Sequence, residues 1–284
     1  MTIGIFDSGV GGLTVARRVR ELLPAAGIVY FADQRHVPYG DRSIDDLRAL
    51  LARNVAFLVA RGVDAIAMGC NTSCAVAARY GWPDAPVPVL DLIAAAAGAV
   101  AASGARRVGV VATTATASSG AYGNAIRARV PGAEVLEVAA PALVPLVEAG
   151  VRGRAAQEAV AAACAGLPGK VDAVVLACSH YPLLDAEFAA VFGERVVRID
   201  PAIAQAGRVA AWAGERASAA APQPDRYFTN GALDAFRRQV AAVMGPQAAV
   251  AAASSDDVED VEEQHDGHRA ERTAGDDLQH GVRL

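Results

Sequence analysis

Val63-Asp64-Ala65-Ile66-Ala67-Met68-Gly69-Cys70 and Val171-Asp172-Ala173-Val174-Val175-Leu176-Ala177-Cys178 align without a gap. Each is a short apolar run closed by a cysteine. Such runs read as strands buried on both faces, the state of strands in a parallel sheet covered by helices. Upstream of each lies a second matching pair, Ile3-Gly4-Ile5-Phe6-Asp7-Ser8 and Val108-Gly109-Val110-Val111-Ala112-Thr113. The chain therefore reads as two similar α/β lobes, each with a cysteine just past the carboxyl end of an equivalent strand. Ligands of open parallel sheets bind outside those strand ends. Two facing lobes would bring both thiols to one cleft.

The intervening segments fit this reading. Ile3 to Phe6 is a strand, followed by a turn at Gly9, Gly11 and Gly12 and a helix to about Leu23. Ile28 to Ala32 is a strand, Ile44 to Arg61 a helix, Asp64 to Met68 a strand, and a helix follows Thr72. Val108 to Val111, Glu134 to Val138 and Val171 to Leu176 are further buried strands. This alternation predicts parallel sheets with helices on both faces. After about Val250 the chain becomes rich in Asp, Glu, His and Arg and poor in apolar residues. It lacks the surface to offset ordering entropy, so a disordered tail without a catalytic role is expected.

The 284 residues are enough for one large or two small domains with a sizeable core. A net charge of −5 gives no electrostatic support to nucleic-acid binding. The longest apolar runs are alanine-rich and broken by glycine, so neither a signal peptide nor a membrane span is expected. The four cysteines, Cys70, Cys74, Cys164 and Cys178, are then expected to be free thiols. The chain has one lysine, Lys170, which precedes the strand ending at Cys178 and so lies at the wrong end of the sheet. Pyridoxal phosphate chemistry requires a Schiff-base lysine at the site. Amino-acid chemistry here would have to use side chains alone.

Three segments carry residues suited to chemistry. Asp7-Ser8-Gly9-Val10-Gly11-Gly12 joins a strand to a helix. The dinucleotide fingerprint requires a glycine where Thr14 stands, and Asp7 disfavours a pyrophosphate even though Asp33 mimics a ribose-binding acid. Backbone N–H groups at this helix start, with Ser8, are better suited to a carboxylate, and Asp7 to an acid or base role. Cys70-Asn71-Thr72-Ser73-Cys74 begins a helix, where a thiol pKa is lowered and Cys70 becomes a plausible thiolate. In Cys178-Ser179-His180-Tyr181-Pro182, His180 is placed to share the thiol proton. Cys70, Cys178 and His180 match no standard zinc spacing, so no metal is expected. Cys74 and Cys164 read as packing residues.

These segments, with Asp33, Val37-Pro38-Tyr39-Gly40, and Thr113 with Thr116, Ser119 and Tyr122, resemble in order and spacing the motifs of glutamate racemases, within the aspartate/glutamate racemase superfamily. The resemblance spans about residues 3 to 245. It implies two pseudo-symmetric flavodoxin-like lobes with the active site between them. The expected lobes are residues 1–92 with 206–250, and residues 93–205, followed by a tail at 251–284. It implies Cys70 and Cys178 as acid/base catalysts, Cys70 toward D-glutamate and Cys178 toward L-glutamate, with Asp7 and His180 assisting. Implied substrate contacts are Asp7, Ser8, Pro38, Tyr39, Gly40, Asn71, Thr72, Thr113, Thr116, Ser179 and His180. Glu148 resembles an acidic residue near the second thiol. The resemblance further implies a cofactor-independent isomerase, cytoplasmic and dimeric, supplying D-glutamate for peptidoglycan. Three departures from the family wording occur: Ser179 replaces Thr, Ser73-Cys74 replaces Ala-Ser, and Ala140 replaces a frequent cysteine. None removes a catalytic group.

Overall fold

The computed structural model describes residues 1–214, 216 and 224–253. The expected tail at 254–284 lies outside the described residues. The chain runs β1 (Thr2–Asp7), α1 (Leu13–Leu22), β2 (Gly27–Ala32), α2 (Ile44–Val59), β3 (Ala65–Met68), α3 (Asn71–Tyr80), β4 (Val89–Leu90) and α4 (Leu92–Ser103). It continues β5 (Arg107–Ala112), α5 (Thr114–Ser119), α6 (Ala121–Arg129), β6 (Glu134–Ala139), α7 (Leu143–Glu148), α8 (Arg154–Ala163), β7 (Ala173–Ala177), α9 (Asp185–Phe192) and β8 (Val197–Ile199). It closes with α10 (Pro201–Gly214), β9 (Arg226–Thr229), α11 (Leu233–Met244) and β10 (Val250–Ala252).

Two parallel sheets result, ordered β10-β9-β2-β1-β3-β4 and β6-β5-β7-β8. The run β2-β1-β3-β4 repeats as β6-β5-β7-β8, the strand order of a doubly wound sheet. The ladders repeat in register as well. Ile3 pairs with Ala65 in one lobe and Val108 with Ala173 in the other, the residues that the sequence repeat equates. Even the packing over the equivalent glycines corresponds. A Cβ on Gly4 would lie 3.2 Å from the Val63 side chain, and one on Gly109 would lie 3.5 Å from Val171 and 3.0 Å from Leu167.

The central strands are buried because they are apolar on both faces. In β1 to β3, and in β5 and β7, Ile3, Ile5, Phe6, Val29, Phe31, Ile66, Met68, Val110 and Val175 are all wholly enclosed. The first lobe carries two additional strands, β9 and β10, on the outer side of β2. The last crosses the boundary expected at residue 250, since Ala251 and Ala252 pair with Phe228 and Thr229. The boundary expected at 205/206 falls inside α10. From that helix Gln205 donates to the carbonyls of Met68 (3.1 Å) and Leu90 (2.5 Å), tying down the strand ends that lead to Cys70. Among the described residues no helix is long and apolar enough to cross a membrane.

Candidate active site

The carboxyl ends of β1, β3, β5 and β7 face one another across a cavity of about 280 Å³. Cys70 and Asn71 enter it from the first lobe and Cys178, Ser179 and His180 from the second. Ser8, Pro38, Tyr39, Gly40, Thr72 and Thr113 also line it. Two expected residues do not reach it. Asp7 and Thr116 are fully enclosed one layer behind. Val37 of the Val37-to-Gly40 motif, the unanticipated Thr114, Pro141, Val144 and Pro145, and Glu148 complete the wall. Pro141, Val144 and Pro145 carry no reactive group, and their only signal in the sequence is the Pro-x-x-Val-Pro run before Glu148.

Asp7 corrects one expectation. Its Oδ2 accepts the N–H groups of Gly9 (3.1 Å) and Gly12 (3.0 Å). The anion held by this turn is the chain's own carboxylate, so those N–H groups are not available to a substrate. The Ser179 hydroxyl donates to the other oxygen, Oδ1, at 3.5 Å across the lobes. Gly11 permits this approach. A Cβ there would lie 2.2 Å from Ser179 Oγ and 2.9 Å from its carbonyl carbon.

Cys70 is the N-cap of α3, and its thiol donates to the Ser8 hydroxyl at 3.7 Å. Burial nevertheless pushes this thiol above its ordinary value, and the Asp7 carboxylate adds to the effect. The N–H and hydroxyl of Ser73 and the hydroxyl of Ser8 act in the opposite sense. The helix-start argument for a ready thiolate is thus overridden by desolvation. Cys178 is followed by a 3-10 turn over Tyr181–Leu184 instead of a full helix. Burial pushes its thiol up to about 12, opposed by the N–H of His180 and reinforced by Asp7, Cys70 and Glu148. Its Sγ lies 3.8 Å from His180 Nδ1, and His180 Nε2 lies 3.4 Å from Glu148 Oε1.

Behind the first wall, Asp33 is wholly enclosed. It accepts hydrogen bonds from Tyr39, from Asn54 (3.4 Å) and from Asn230 (2.5 Å), and faces His36 Nδ1 at 2.6 Å. The acid that resembled a ribose partner is committed to holding the Val37-to-Gly40 segment, whose Val37–Pro38 bond is cis. Across the lobes, Thr72 Oγ1 lies 3.4 Å from Thr113 Oγ1 and 3.3 Å from Thr116 Oγ1. Cys74 and Cys164 are enclosed and outside the cavity. Lys170 is exposed in the turn before β7, away from the thiols.

A cavity between two parallel-sheet lobes, with a thiol from each, defines a class. Residues 8–209 match the family described as Asp/Glu/Hydantoin racemase, and the chain belongs to that family. Within it, the chain is 41% identical over 256 residues to the glutamate racemase of Desulforudis audaxviator, covering 86% of this chain and 94% of that one. The fold is similar to that of the Thermus thermophilus glutamate racemase in complex with β-chloro-D-alanine, with TM-score 0.81 and 33% identity over 90% of this chain and 98% of the other. It is also similar to the Francisella tularensis glutamate racemase in complex with D-glutamate, with TM-score 0.79 and 27% identity over 89% and 97%. The enzyme is an isomerase, an amino-acid racemase of the glutamate racemase kind.

Proposed function

We propose that the protein interconverts L- and D-glutamate without a cofactor, using Cys70 and Cys178 as paired acid and base. The observation carrying this reading is that the two thiols stand at equivalent strand ends of opposite lobes and line one cavity. Racemisation removes the α-proton from one face and returns a proton to the other. Two fixed groups do this without moving a base around the substrate. In our reading Cys70 takes the proton from D-glutamate and Cys178 from L-glutamate. One thiol is ionised while the other is protonated, and the two exchange states in each turnover.

Burial makes both thiols resist ionisation. A bound zwitterion changes this, because its ammonium brings a positive charge into a desolvated site and favours a thiolate. The proton displaced from Cys178 has a route through His180 toward Glu148. No lysine or arginine lines the cavity among the described residues. Substrate carboxylates are held instead by hydroxyls, the Asn71 amide and the start of α3. Such fixed dipoles stabilise the negative charge that develops at the α-carbon and its carboxylate. General acid–base transfer of this kind is worth roughly 10²–10⁴-fold, and positioning supplies more. We further propose a cytoplasmic homodimer that supplies D-glutamate for peptidoglycan.

The test is a circular-dichroism assay of purified protein with L-glutamate and no added cofactor. Optical activity decaying to zero, unaffected by EDTA, is expected. Loss with EDTA and recovery with zinc would overturn the thiol reading. Faster turnover of aspartate would reassign the substrate.

A further inference from the structure

We infer that Tyr122 is a positioning residue that fixes the Asn71 amide as a two-proton donor toward a substrate carboxylate. The inference rests on the amino-acid racemase reading of the cavity. Tyr122 lies on α6 of the second lobe and is fully enclosed. Its hydroxyl donates to Asn71 Oδ1 of the first lobe at 2.5 Å. Asn71 immediately follows Cys70 and lines the cavity.

The direction of this bond decides what Asn71 offers the substrate. An amide has an accepting end and a donating end. If it were turned over, Tyr122 would accept from Nδ2, and its own proton would be left in a dry interior. That hydroxyl makes no other hydrogen bond among the described residues. A buried donor without a partner is costly, so the tyrosine donates and Oδ1 accepts. Burial raises the Tyr122 pKa well above its ordinary value, which keeps the donated proton in place. Nδ2 bonds to no other described residue and is not among the enclosed unpaired atoms. Its hydrogens thus have no acceptor among the described residues and can serve a ligand in the cavity that Asn71 lines. They suit a carboxylate and repel an ammonium. This assigns the carboxylate to the α3 side of the cavity, where the first N–H groups of the helix also point. The same bond crosses the lobes, so it sets the reach of Asn71 relative to Cys178.

The test compares wild type, Tyr122→Phe, Asn71→Ala and the double variant. Racemisation is measured in both directions, with urea denaturation of each protein as a check on folding. Removing a contact made equally in ground and transition states raises KM and spares kcat. Tyr122→Phe is expected to raise KM about tenfold in both directions, with kcat within about threefold of wild type. In the Asn71→Ala background the same substitution is expected to add nothing, because there is no amide left to orient. An unchanged KM in Tyr122→Phe, or its full effect persisting without Asn71, would show a merely structural role and overturn the inference. A wild type that leaves glutamate unchanged would instead remove the functional reading beneath it.

Discussion

Cys70 and Cys178 hold the same position in two copies of one fold, yet their surroundings differ. Cys70 heads a ten-residue helix and is met by hydroxyls, from Ser8 by direct contact and from Ser73 one turn along. Cys178 precedes a 3-10 turn and is met by an imidazole backed by an exposed carboxylate. The repeat equips each lobe to place a thiol, and the loops that follow give each thiol its own proton partners. Asp7 stands between them, raising both thiols and bonding to Ser179 of the second lobe. The two-sided proton transfer proposed above would use this arrangement, one thiol for each face of the α-carbon and a separate route for each proton.

The most severe way to break the comparison is to remove either thiol. A serine hydroxyl is far too weakly acidic to replace a thiolate. Cys70→Ser and Cys178→Ser should each lower racemisation by about 10³-fold or more. An analogue that eliminates a leaving group after α-proton loss separates the two faces, because it needs only the base. Cys70→Ser should keep elimination of the L-analogue, and Cys178→Ser that of the D-analogue. Equal losses for both analogues in both variants would falsify the two-base assignment.

The lobes can also be pushed apart without touching a reactive group. Gly11→Ala places a methyl 2.2 Å from Ser179 Oγ and 2.5 Å from its Cβ. Part of that clash is with backbone, so the strand-end loops must separate. Misplacement on the order of 1 Å costs roughly 10²-fold in a positioned reaction. A fall in kcat/KM of that size is expected, with denaturation still cooperative. Near-wild-type activity would mean that the Gly11–Ser179 approach does not set the geometry.

How much of this was legible beforehand depended on the residue type. The paired strands were readable because burial on both faces leaves uninterrupted apolar runs, and the register of Ile3 with Ala65 and Val108 with Ala173 follows the repeat. Val89–Leu90 and Val197–Ile199 are too short to show a period, and proline or charged residues flank them. The thiol motifs were readable because few other arrangements need cysteine after a strand. The depth of Asp7 and Thr116 was not, since neighbours in a motif do not reveal which side chains turn inward. The expected ease of ionising Cys70 failed for a related reason: a helix start is visible in sequence, whereas full desolvation is a property of the assembled lobes.

A finer test sets the two thiols against each other by pH. Both are raised, so the folded protein retains thiol protons that the unfolded chain releases near 9.0. Their contribution to stability is complete below that pH and is lost as pH climbs toward about 12 for Cys178. The thiolate ultraviolet band should therefore develop only above pH 9, with one component missing from Cys70→Ser and another missing from Cys178→Ser. Saturating D-glutamate should shift thiolate formation to lower pH. A Cys178 band already developed at neutral pH in the free protein would contradict the desolvation argument.

The smallest effect is expected at Cys74, one turn beyond Cys70 on the same helix. It is fully enclosed and belongs to the core that joins α3 to α4, with its thiol against Asp91. Burial and that carboxylate push the thiol well up, so it is expected to stay protonated and to take no part in the proposed proton exchange. Removing it costs packing and one hydrogen bond. Asp91 keeps its bond from the Ile93 N–H at 2.8 Å. Cys74→Ala should thus lower stability by about 1 kcal/mol, at the mild end for a buried truncation. Racemisation should remain within about threefold of wild type, since no atom lining the cavity moves. The urea midpoint and the initial rate, read on one preparation, separate the two quantities. A large loss of rate with the midpoint unchanged would mean that the third thiol belongs to the chemistry, and that the comparison between two equivalent cysteines omits a participant.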